Sequence, residues 1–128
     1  MQVNDVNLVG HLTRDPEVQY TPKGTPVTKA GVGINENYTT PDGEKKSVTT
    51  FVDIEVWGAS AENLAKLARK GEQLFVQGSL REEQWQDKET GKPRWKLFVK
   101  AEKWQFTQYR VTEAARQAAK QQAQGVER

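Results

Sequence analysis

The stretch Phe51-Val-Asp-Ile-Glu-Val-Trp-Gly58 sets two kinds of chemistry side by side. In an extended strand, alternate side chains share a face. Val52, Ile54 and Val56 then make an apolar row, and Phe51, Asp53, Glu55 and Trp57 make the other. Two carboxylates at i and i+2 suit acid–base work or a metal ion. Two rings six residues apart stand roughly 20 Å from each other at ~3.3 Å per residue, too far to touch. Rings so spaced on a polar face suit stacking on separate flat partners. Nucleobases are such partners, at ~1–3 kcal/mol for each base–aromatic stack.

The carboxylate reading finds no further support along the chain. Asp53 and Glu55 are equally satisfied as a solvated strand face with cross-strand Lys or Arg partners. Gly31-Val-Gly-Ile-Asn-Glu36 begins like a dinucleotide-binding loop but lies inside a strand with no helix after it. Gly58-Ala-Ser-Ala-Glu62 lacks the second glycine of a nucleophile elbow. His11 is the only histidine and reads as a surface or subunit-contact residue. We therefore expect no enzyme, no catalytic residue, no metal and no cofactor.

The stacking reading gathers more residues. Tyr38 closes one strand beside Pro41-Asp42-Gly43, and Trp85 sits near the tip of a later hairpin. Lys45, Lys46, Arg81, Lys88, Lys92, Arg94 and Lys96 lie in or beside the same loops. The expected surface uses Tyr38, Phe51, Trp57 and Trp85 for stacking and those seven bases for phosphates. Trp95 alternates with apolar residues and Trp104 lies near the end of the last strand, so both are assigned to core or interface.

Bulk charge contributes little. The 128 residues carry a net charge of +2, and there are no cysteines, which suits a reducing, cytoplasmic and nucleoid-associated setting. Residues 1–109 hold 15 Lys/Arg and 15 Asp/Glu, so the excess lies in residues 110–128. Polyanion binding must then rest on local clustering and stacking. No apolar run approaches the ~20 residues of a membrane span.

The elements that must hold these residues follow from periodicity. Strands are expected at Asn7–Leu12 (with Glu17–Tyr20 resuming it after Asp15-Pro16), Val27–Tyr38, Val48–Trp57, Leu74 to about Trp85, and Arg94–Phe106. Turn clusters fall at 21–26, 40–43 and 87–93. One amphipathic helix follows Ser60, its expected N-cap, with Leu64, Leu67 and Ala68 on one face and Gly71 at its end. Five strands with a helix between the third and fourth is the order of an OB-fold, an all-β Greek-key barrel. We expect this domain over residues 1–109 and a flexible or marginally helical Ala/Gln-rich tail over 110–128.

Val6-Asn-Leu-Val-Gly-His-Leu-Thr-Arg-Asp-Pro-Glu-Val-Gln-Tyr20, Phe51–Gly58, Leu67-Ala-Arg-Lys-Gly71 and Phe75-Val-Gln-Gly-Ser-Leu-Arg81 together closely resemble the bacterial single-stranded DNA-binding proteins over about residues 3–109. The resemblance implies an OB-fold, a homotetramer (a dimer as fallback), and sequence-independent binding of single strands in replication, recombination and repair. It places the family's stacking aromatics on Tyr38, Phe51, Trp57 and Trp85, the first two at places where the family often has tryptophan. Asp53 stands where some members carry a base. The chain ends Gln124-Gly-Val-Glu-Arg128 rather than in an acidic, phenylalanine-terminated tip, so recruitment of replication proteins by that route is in doubt. Two rival readings stay open: a primosome or RNA-binding relative, and a metal-dependent nuclease using Asp53 and Glu55.

Overall fold

A computed structural model of the chain describes residues 1–107. Six strands and one helix run in the order β1 (Val6–Leu12), β2 (Glu17–Tyr20), β3 (Pro26–Thr39), β4 (Lys45–Trp57), α1 (Ala59–Leu67), β5 (Gln73–Gln86) and β6 (Pro93–Phe106). The expected first strand is thus split at Asp15-Pro16, and the rest is the five-stranded plan with its helix in place. The tail and the domain boundary near 109 fall outside the described residues.

The strands lie in the order β1-β5-β6-β4-β3-β2, and β1 also meets β3 through His11↔Gly33 and Leu12↔Val32, which closes the barrel. All pairings are antiparallel except β4–β6, where Glu55 is level with Lys100. Alternation supplies the interior. Leu12, Ala30, Val32, Ile54, Val56, Leu74, Val76 and Val99 are buried, and α1 adds Ala61 and Leu64 from between β4 and β5. Burying each of the Leu, Ile and Val side chains is worth ~1.5–3 kcal/mol. The Thr28 hydroxyl donates to the Ala61 carbonyl at 2.7 Å and ties the helix to β3.

One irregularity sets the phase of the last strand. Opposite Gln77 and Gly78 the register jumps from Lys103 to Ala101, so Glu102 is an extra residue in β6. Val99 and Ala101 face the core before the jump, and Trp104 and Phe106 pack against it after. Gly78 is required there, because a Cβ would lie 2.0 Å from the Lys100 carbonyl oxygen.

Three local expectations are corrected. Gly58, at φ 80°, occupies the helix N-cap in place of Ser60. The Ser60 hydroxyl instead accepts a hydrogen bond from Trp104 Nε1 at 2.8 Å. Leu67 is 45% exposed, so the buried helix face runs through Ala61, Leu64 and Ala68. Trp95 is 68% exposed, which overturns the core half of its core-or-interface assignment, because β5 and β6 outrun the barrel and, among the described residues, no core lies beneath that part of the strand.

Candidate nucleic-acid interface

Two hairpin arms extend beyond the barrel. The β3–β4 arm keeps pairing out to Thr39↔Lys45, and the β5–β6 arm out to Gln86↔Pro93. Both close in turns whose glycines, Gly43 (φ 86°) and Gly91 (φ 70°), take the left-handed conformation.

Directly paired antiparallel residues share a face, so the register sorts the side chains. On the outer face of β4 stand Phe51, Asp53, Glu55 and Trp57, opposite Gly33, Gly31, Lys29 and Val27. The β5–β6 arm continues this surface with Arg81↔Phe98, Glu83↔Lys96 and Trp85↔Arg94. Lys96 Nζ meets Asp53 Oδ2 at 3.0 Å and joins the two parts. Phe51 is 73% exposed and lies over Gly33, where a Cβ would meet its ring at 3.4 Å. Trp57 and Trp85 are also exposed, and Lys100 Nζ stands 5.6 Å from the Trp57 ring centroid.

One continuous face therefore collects Phe51, Trp57, Trp85, Arg81, Arg94 and Lys96 from the expected set. Tyr38 is exposed but pairs with Lys46, on the opposite side of its arm from Phe51. Lys45, Lys88 and Lys92 lie at the arm ends. Three of the bases already hold carboxylates: Lys46 with Glu44 at 3.8 Å, Arg94 with Asp87 at 3.4 Å, and Lys96 with Asp53. These pairs are exposed, worth at most ~1 kcal/mol, and can exchange their partner for phosphate. Sequence reasoning missed Lys29, Lys100 and Phe98 as members of this face. Phe98 and Lys100 alternate with Trp95 and Leu97, and that alternation was the available signal.

The carboxylates divide. Asp53 has the cross-strand lysine partner that its solvated reading called for. Glu55 is only 9% exposed, because β3 and β6 flank it and the floor of a groove encloses it. That overturns its assignment to a solvated face. Among the described residues, no group of three or more His, Cys, Asp or Glu could hold a metal ion, and no helix is long and apolar enough to cross a membrane.

Residues 3–107 match the model of the single-strand binding protein family. The chain belongs to that family. It is 38% identical over 90 residues to a single-stranded DNA-binding protein of Deinococcus radiodurans, covering 70% of this chain and 30% of that one. It is 37% identical over 103 residues to one of Wolinella succinogenes, covering 80% and 63%. In three dimensions it resembles a crystallised deletion mutant of the single-stranded DNA binding protein from Thermus aquaticus, with a TM-score of 0.73 and 29% identity, over 84% of this chain and 52% of that one. The chain thus spans under two thirds of the length of these family members.

Proposed function

We propose that the chain binds single-stranded DNA without reading its sequence, as a non-enzymatic protector of single strands in replication, recombination and repair. The observation that carries this reading is the outer face of β4, β6 and β5, where the exposed rings Phe51, Trp57 and Trp85 share one surface with Arg81, Arg94 and Lys96. Bases of the strand stack on Phe51, Trp57 and Trp85, with Tyr38 serving a separate stretch on the other arm. Phosphates are met by Arg81, Arg94, Lys96, Lys45, Lys46, Lys88 and Lys92, to which Lys29 and Lys100 are added. The Lys100 ammonium over Trp57 is an exposed cation–π contact of ~0.5–1 kcal/mol. A stacking base, at ~1–3 kcal/mol, outcompetes it and releases the ammonium to a neighbouring phosphate.

The proposed assembly is a homotetramer, with a dimer as fallback. β1 pairs with β5 from Val6 to His11, whereas β3 reaches only His11 and Leu12. The remaining edge of β1 is open among the described residues, and open edges recruit strands. The binding domain is proposed to end near residue 109, with residues 110–128 dispensable.

Titration with poly-dT, followed by tryptophan fluorescence and light scattering, tests this. Strong quenching, a tetrameric mass and intact labelled strands after incubation with magnesium are expected. Absence of quenching, or cleavage of the strands, would contradict it. Deleting residues 110–128 should leave affinity within about tenfold, ~1.4 kcal/mol.

A further inference from the structure

The outer face of β4 sets Asp53 and Glu55 between Phe51 and Trp57. A strand that stacks on both rings must therefore carry its phosphates past two carboxylates. Lys96 covers Asp53 Oδ2 from the side of the β5–β6 arm. On the other side lies β3, where Gly31 is directly opposite Asp53.

The space above Gly31 is already taken. A Cβ there would lie 2.6 Å from Thr13 Oγ1 and 3.2 Å from Arg14 Nη1, with Asp53 Oδ1 next at 3.8 Å. The first glycine of Gly31-Val-Gly33 thus makes room for the linker between β1 and β2, which crosses β3 at this point. That linker is tied down on both sides of Arg14. The Thr13 backbone N–H donates to the Gly31 carbonyl at 3.0 Å, and the Thr13 hydroxyl donates to the same oxygen at 3.3 Å. Asp15 Oδ1 accepts from the Lys70 backbone N–H at 2.7 Å, and Pro16 is buried. The backbone at Arg14 is held in place while its side chain stays exposed.

Arg14 also differs in charge from the other bases of the face. Lys46, Arg94 and Lys96 each hold a carboxylate, whereas Arg14 is in no ion pair among the described residues. The acids beside it are otherwise engaged or matched. Asp53 is held by Lys96, Asp15 accepts from Lys70, and Glu17 stands level with Lys29 across β2–β3. Lys29 and Arg14 line one groove, so a second cation stands near. A guanidinium fork matches phosphate geometry, and a cation positioned before binding loses less freedom on binding.

We propose that Arg14 is a phosphate-binding residue, seated over Gly31 to carry the backbone of a bound strand past Asp53 on its way from Phe51 to Trp57. The inference rests on the single-strand-binding reading given above. The β1–β2 linker thereby joins the interface, and the contact is to phosphate, so it is indifferent to base.

Poly-dT binding by the full chain, measured across a range of salt, tests this with Arg14→Gln and Lys66→Gln. The second variant removes the same charge from an exposed position on α1. In Arg14→Gln the slope of log K against log salt should become shallower by about 0.7, the value for one phosphate, which is about fivefold in affinity at about 0.1 M salt. Tryptophan quenching at saturation should stay at the wild-type level, because the rings are untouched. Lys66→Gln should match the wild type in slope and affinity. In the wild type, bound poly-dT should shield Arg14 from an arginine-selective dicarbonyl reagent, read by mass spectrometry of peptides. This arm needs no substitution, so it carries the test even if Arg14→Gln does not fold. A wild-type slope in Arg14→Gln, an equal change in Lys66→Gln, or equal modification of Arg14 with and without poly-dT overturns the role of Arg14 alone. Failure of the wild type to bind poly-dT overturns the single-strand-binding reading and this role with it.

Discussion

The two arms share a plan and differ in what they present. The β3–β4 arm is polar along its length: Asn35, Asn37, Ser47 and Thr49 occupy its outer face beyond Phe51, and the Thr49 hydroxyl donates to Asn35 Oδ1 at 2.6 Å. Its single ring near the tip, Tyr38, lies on the other side. The β5–β6 arm is divided sharply. Arg81, Glu83, Trp85, Arg94, Lys96 and Phe98 occupy one side, and Leu80, Glu82, Gln84, Trp95 and Leu97 the reverse. The roots also differ. A Cβ at Gly33 under the first arm would have Phe51 and Thr49 side-chain atoms nearest it, none closer than 3.4 Å, whereas one at Gly78 under the second would lie 2.0 Å from backbone. Extending a hairpin past a barrel therefore does not by itself decide what its faces present. On the second arm, the bulge at the root fixes which side chains continue the outer face of the barrel.

The largest effect should come from that root. Gly78→Ala must displace the Lys100 backbone, so urea unfolding is expected to show a loss on the order of 3 kcal/mol, against well under 1 kcal/mol for Gly33→Ala. Equal losses at the two glycines would erase the contrast between the roots.

Next comes the division of the second arm. Trp85→Ala should weaken poly-dT binding by ~1–3 kcal/mol, while Trp95→Ala, on the reverse side, should leave affinity unchanged. Tyr38→Ala should fall at the low end, about 1 kcal/mol, since its arm offers no second ring on that side. Comparable losses for Trp85 and Trp95 would show that the two sides are not distinct.

The smallest effect concerns the link between the arm and the barrel. Asp53→Asn releases Lys96 from an exposed pair worth at most ~1 kcal/mol. Affinity should rise slightly, and the slope of log K against log salt should steepen by about 0.7, the value for one more phosphate neutralised. An unchanged slope would mean that Lys96 does not reach the backbone of the strand.

Much of this was legible in the residues. Strict alternation around Ile54 placed the core row and the Phe51/Trp57 row correctly, because a half-buried strand writes its faces into the sequence. The helix and its position between strands were equally plain from the change of period at Ser60. What was hidden depended on distant partners. Trp95 and Leu97 continue the apolar phase of Val99, yet no described residue covers them once the arm leaves the barrel. The extra residue Glu102 carries no glycine of its own, and its only trace is Gly78 on another strand. Ser60 looks like a cap until Trp104, 44 residues later, claims its hydroxyl. The burial of Glu55 follows from β3 and β6 flanking it, which no local pattern records.

The most direct test of the stacking face is ultraviolet cross-linking of the full chain to oligo-dT, with the adducts mapped by mass spectrometry of peptides. Adducts are expected on Phe51, Trp57 and Trp85, with none on Trp95. Adducts confined to Trp95, or to residues 110–128, would contradict the assignment of binding to the outer face of β4, β6 and β5.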